Sequence, residues 1–178
     1  MTRPTPVDLA AVSAQLGRPA RGVAAVAHRC PCGLPDVVTT EPRLADGTPF
    51  PTTYYLTCPR ACSEVGRLEG SGLMAEMTER LADDSALAGR YRAAHDRYLA
   101  DRAHLGEVPE IAGVSAGGMP DRVKCLHALV AQALASGPGV NPLGDEALAL
   151  LPAWWQAGPC VSAGQDDPAQ TSRPIQGA

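Results

Sequence analysis

Proline and glycine punctuate this chain so regularly that only short elements can form between most of them. Pro6 and Gly17 bracket the first segment; RCPCGLP (29–35) and DGTPFP (46–51) interrupt the next. Pro59, Gly70-Ser71-Gly72, a Gly-rich run at 106–119, Pro120, Gly137-Pro138-Gly139 and Pro152 follow. Proline removes an amide and fixes φ, while glycine releases the backbone into turns, so each of these points starts or stops an element.

Between the breaks the residue patterns alternate. Thr5 as N-cap, Pro6 at the first helical position, and Val7, Leu9, Val12 and Leu16 at helical spacing predict a short helix. Residues 22–28, 36–40 and 50–57 are rich in Val, Thr and Tyr and predict strands joined by the two Pro-Gly turns. After Thr57 the spacing of apolar residues becomes helical, with helices predicted from Pro59, from Leu73, from about Asp84, from Pro120 to about Ser136, and from Pro142. The fold class is therefore α+β, mostly helical, with one small antiparallel sheet of about three strands near the N-terminus. Residues 1–161 read as a single domain. The polar, aperiodic stretch 162–178 reads as a disordered tail.

Aromatics supply 4% of the residues against an apolar fraction of 45%, so the core has to be built mainly from Ala, Leu and Val. A chain of 178 residues can bury such a core without disulfide staples. No apolar run reaches the roughly 18 residues that span a bilayer, and the N-terminal segment lacks the apolar stretch of a signal peptide. A cytoplasmic protein with no membrane contact is expected. The net charge of −4 and the scattered arginines argue against a nucleic-acid surface, leaving a small molecule or a protein as partner.

Cysteines stand at 30, 32, 58, 62, 125 and 160. In a reducing compartment thiols bind metals or react more often than they form disulfides. Cys30-Pro31 and Cys58-Pro59 place two of them at bends, and Cys-Pro steps recur among cluster-binding sequences. Cys58 opens a predicted helix, where free amides favour a thiolate and should lower its pKa. Cys30-x-Cys32 and Cys58-x3-Cys62 also allow a tetrahedral zinc site, although the first spacing is tighter than that of zinc ribbons. On a regular helix begun at Pro120, Cys125 and His127 would lie about 200° apart and would not serve one centre.

Taken together, HRCPCGLP, FPTTYYLTCP, RLEGSG, RVKCLHALVAQALA, GPGVNPLGD and a late cysteine resemble a bacterial family designated domain of unknown function 501. The resemblance runs from about Asp8 to Cys160. It implies that Cys30, Cys58, Cys125 and Cys160 belong to the family pattern, whereas Cys32 and Cys62 do not. Four such thiols gathered by the fold would make a metal centre, an iron–sulfur cluster or, alternatively, zinc. If only Cys30, Cys58 and Cys125 bind, one iron stays open, an enzyme becomes possible, and Arg29, Arg67, Glu69, Arg122, Lys124 and His127 become candidate substrate contacts. A structural zinc protein acting as a scaffold and a metal-free thiol enzyme using Cys58 or Cys125 are the competing readings.

Overall fold

A three-stranded antiparallel sheet in the order β1-β2-β3 underlies the N-terminal third: β1 is Val23–Arg29, β2 Pro35–Thr40 and β3 Tyr54–Leu56. The structure, a computed structural model, describes residues 1–162. Of the predicted tail 162–178, residues 163–178 lie outside the described residues. Six α-helices complete the described chain and bring the helical share to 46%. They are α1 (Pro6–Leu16), α2 (Pro59–Glu69), α3 (Leu73–Asp83), α4 (Ser85–Ala103), α5 (Leu126–Ser136) and α6 (Pro142–Ala149), with a single 3-10 turn at Pro109–Ile111. The α+β, mainly helical class expected from the residue patterns is the class found.

Helix α1 starts as its sequence dictates. The Thr5 hydroxyl accepts from the Asp8 amide at 3.2 Å, and Asp8 Oδ2 accepts from the Thr5 amide at 2.9 Å, a reciprocal capping box beside Pro6. Gly17 ends it in the left-handed conformation, at φ 64°. The second carboxylate duty of Asp8 is tertiary: Arg29, the last residue of β1, grips both its oxygens at 2.7 and 2.9 Å.

Strand β2 is buried at every position, because α1 covers one side of it and α5 the other. That makes α5 the central helix. It packs against the sheet, α2 and α6, and Leu126, Leu129, Val130 and Ala131 are wholly enclosed. A helix apolar nearly all round belongs in an interior. One polar residue in it, Gln132, is satisfied there: its Nε2 donates to the Ala94 carbonyl at 2.8 Å, and its Oε1 accepts from Asn141 at 2.9 Å. Asn141 in turn caps α6 through the Gly144 amide at 2.9 Å. The approach of α6 to α5 is so close that a Cβ on Gly144 would collide with the Leu129 carbonyl.

The helix predicted from Pro120 begins six residues later, at Leu126. Tertiary partners take the amides that a helix would need. The Val123 amide donates to Thr78 Oγ1 at 3.0 Å, and the amides of Lys124 and Cys125 donate to the Gly117 carbonyl at 2.7 and 3.3 Å. Gly117 and Gly118 permit this tight loop: both have positive φ, and a Cβ on Gly118 would press on the Arg122 carbonyl at 2.8 Å. The third predicted strand also shortens, to Tyr54–Leu56, since Pro51 cannot donate to a ladder.

Among the described residues, no helix is long and apolar enough to cross a membrane. Gly144→Ala should lower the stability by about 2–3 kcal/mol through forced separation of α5 and α6. Urea unfolding of the two proteins checks this, and an unchanged midpoint would contradict the close helix contact.

Candidate functional site

Residue 125 stands just outside α5 with extended backbone, φ −153° and ψ 112°. Its thiol therefore does not follow the angular progression of the helix. Two residues on, His127 occupies the first turn. The wide angle expected between Cys125 and His127 is corrected accordingly: it presupposed helix on both sides of position 125. Their ligand atoms, together with a carboxylate oxygen of Glu69, lie within 4.8 Å of one another, the one such trio among the described residues.

Glu69 reaches this point from the last turn of α2. Its Oε1 accepts from the Leu126 amide at 2.7 Å and the His127 amide at 3.4 Å, taking up the free N–H groups of α5. The same oxygen meets His127 Nδ1 at 3.1 Å. His127 Nε2 faces the Cys62 carbonyl at 3.1 Å, and a carbonyl can only accept, so Nε2 carries a hydrogen. Nδ1 is thus the nitrogen turned toward Cys125 and Glu69. All three side chains are partly exposed, which leaves the trio reachable from solvent.

The electrostatics follow from these neighbours. Cys125 above all, and then Glu69, push the His127 imidazole up to about 9 against the opposing effect of burial. For Glu69, burial would raise the carboxyl, but His127 and the Leu126 amide outweigh it and hold the group below its ordinary value.

A second thiol group gathers at the other end of α2. Cys58 is the N-cap of α2 and is only 1% exposed. Arg60, in the first turn, donates to the Gly158 carbonyl at 2.7 Å and so holds the chain's last described stretch against the helix start. Cys160 is thereby set beside Cys58. Gln15 of α1 donates through Nε2 to Cys160 Sγ at 3.2 Å and to the Pro35 carbonyl at 2.7 Å. Trp154, 8% exposed and packed edge-on to Trp155, anchors the same stretch in the core.

Cys160, not Cys58, is the acidic member of that pair. Cys58 and the Gln15 donor bring Cys160 down to about 6, whereas Cys160 and burial drive Cys58 well above the ordinary thiol range in spite of the amides at the helix start. Burial also lifts Cys62 to about 11, and its thiol feels both Cys125 and Cys160. Cys30 sits in the β1–β2 turn, buried, with Cys32 as its neighbour, and burial raises it to about 11.

The other candidates distribute differently. Arg29 is committed to Asp8, whose carboxyl the guanidinium holds far below the usual range. Arg67 is exposed and ion-paired with Glu64 one turn away. Arg122 and Lys124 are exposed on the loop that leads into Cys125. Gln15 and the Cys62 carbonyl were not among the candidates. No sequence signal marks them, because each acts through a contact made by folding, Gln15 with a residue 145 positions away.

Residues 26–149 match a family described as a protein of unknown function, DUF501. The chain belongs to this family. The matched segment contains Cys30, Cys58, Cys125, Glu69 and His127, and stops before Cys160. No curated protein and no solved structure matches the chain.

Because its folded pKa is raised, the His127 contribution to stability is complete below about 6.5 and is lost as pH climbs through about 9. Cys125→Ser should lower the imidazole pKa, and Glu69→Gln should lower it by less. Titration of the His127 ring protons by NMR measures both, and unchanged values in the two variants would show that the three side chains do not interact.

Proposed function

We propose that this family member is a cysteine-ligated metal-site protein that binds one divalent ion, zinc by its donor set, between Cys125, His127 and Glu69. The convergence of a sulfur, a nitrogen and an oxygen within 4.8 Å carries the reading. Thiolate, imidazole and carboxylate are the ligand types of zinc, and three protein ligands leave a fourth position for water or a substrate atom. His127 has the outer contact that metal-bound histidines ordinarily have: Nε2–H donates to the Cys62 carbonyl and leaves the Nδ1 lone pair for the ion. Arg122 and Lys124, on the adjoining loop, are the cations from which an anionic small molecule would gain on reaching that fourth position. Six free thiols suit the reducing cytoplasm, and this is where we place the protein.

An iron–sulfur centre is the second reading. Its support is the set of thiols at α2, where the Cys62 thiol feels the charges of both Cys125 and Cys160. Cys30, Cys58, Cys125 and Cys160 would supply the four thiolates of such a cluster.

One experiment separates the two. The full chain is produced once with zinc and once anaerobically with iron and sulfide, followed by metal analysis and a visible spectrum. About one zinc per chain, lost in both Cys125→Ser and His127→Ala and accompanied by a lower melting temperature after chelation, is the expected result. A brown protein with about four irons per chain would transfer the assignment to the cluster. A chain that retains neither metal overturns both.

A further inference from the structure

The trio at α5 leaves a second set of reactive side chains unused, at the start of α2. We propose that Cys58 and Cys160 form a peroxide-sensitive dithiol that closes to a disulfide and ties the end of the chain to α2. Three contacts hold the segments that carry this pair. The Arg60 guanidinium holds the Gly158 carbonyl at 2.7 Å, two residues before Cys160. Gln15 holds the Cys160 sulfur itself at 3.2 Å while bonded to Pro35 at 2.7 Å. Pro35 is joined to Cys58 through the sheet, since the Thr57 amide donates to the Asp36 carbonyl at 2.8 Å. The segment bearing Cys160 is therefore clamped from both α1 and α2 against the residue that caps α2.

The two sulfurs differ in access as an attacking and a resolving thiol must. Cys160 is partly exposed and lies outside any helix or strand, whereas Cys58 is buried in the core. The amide of Gln15 donates to Cys160, and a donor of this kind stabilises a thiolate at the exposed position. A hydroperoxide is the oxidant. The Cys160 thiolate bonds to one peroxide oxygen, the O–O bond breaks, and the departing hydroxide takes up a proton to become water. The Cys58 sulfur then attacks the sulfur of the resulting sulfenic acid. The S–O bond breaks, the S–S bond forms, and the Cys58 proton leaves with the hydroxide as water. Counted from two thiols, the pair loses two electrons and two protons, and hydrogen peroxide becomes two waters.

The assignment does not rest on the metal reading, because it uses none of the trio's side chains. The test treats the full chain with hydrogen peroxide at equimolar concentration, blocks the remaining thiols, and maps disulfides by mass spectrometry without reduction. The expected result is a 58–160 cross-link as the first product, absent in Cys160→Ser, and formed several-fold more slowly in Gln15→Met. Melting curves of both variants before oxidation show that they are folded. A first cross-link between other cysteines, or a Gln15→Met rate equal to that of the unaltered chain, overturns the proposal. So does loss of bound metal from Cys160→Ser at unchanged zinc supply, which would make Cys160 a ligand instead. Because Cys125→Ser tests the trio separately, failure of one assignment is distinguishable from failure of the other.

Discussion

The carboxylate of Glu69 joins the two helices on which the site depends. It ends α2 and begins α5, accepting from the Leu126 and His127 amides at 2.7 and 3.4 Å. A helix start buried in a core must have its free amides satisfied, and α5 has no side-chain cap of its own at Cys125. The acidic residue does this from a neighbouring helix and adds favourable charge at the positive end of the α5 dipole. Since α5 packs on the sheet, α2 and α6, its placement governs much of the core. The same bond orients His127, so support of the fold and assembly of the trio are a single interaction.

Helix α2 carries Cys58, Cys62 and Glu69 along one element. Cys58 stands at one end, Glu69 closes the other, and Cys62 lies between, its carbonyl on His127. The two ends differ in make-up. Near Glu69 the groups are partly exposed and of mixed type, a carboxylate, an imidazole and a thiol. Near Cys58 the residues are sulfur, amide and backbone, enclosed except at Cys160, where a buried thiol has an accessible partner.

The sequence patterns identified the elements well, because each is bounded by local chemistry. Thr5-Pro6, Asp84 and Asn141-Pro142 are caps whose partners lie within three residues, and Gly17 is a stop that depends on its own φ. The start of α5 was misplaced for the opposite reason. Pro120 is a sound first helical residue, yet the amides that follow it go to Thr78 and Gly117. Such a choice between local and tertiary partners is invisible along the chain.

The site divides along the same line. By itself the sequence determined the α+β class, the family and the thiol at the start of α2, since composition, spacing and caps are properties of neighbouring residues. Only the tertiary structure decided which of these meet. It set Glu69 against His127 across 58 positions and Gln15 against Cys160 across 145. The physical reason is that Cys125 lies outside its helix, so the position of its sulfur is set by a glycine loop and a neighbouring helix, not by the 3.6-residue repeat.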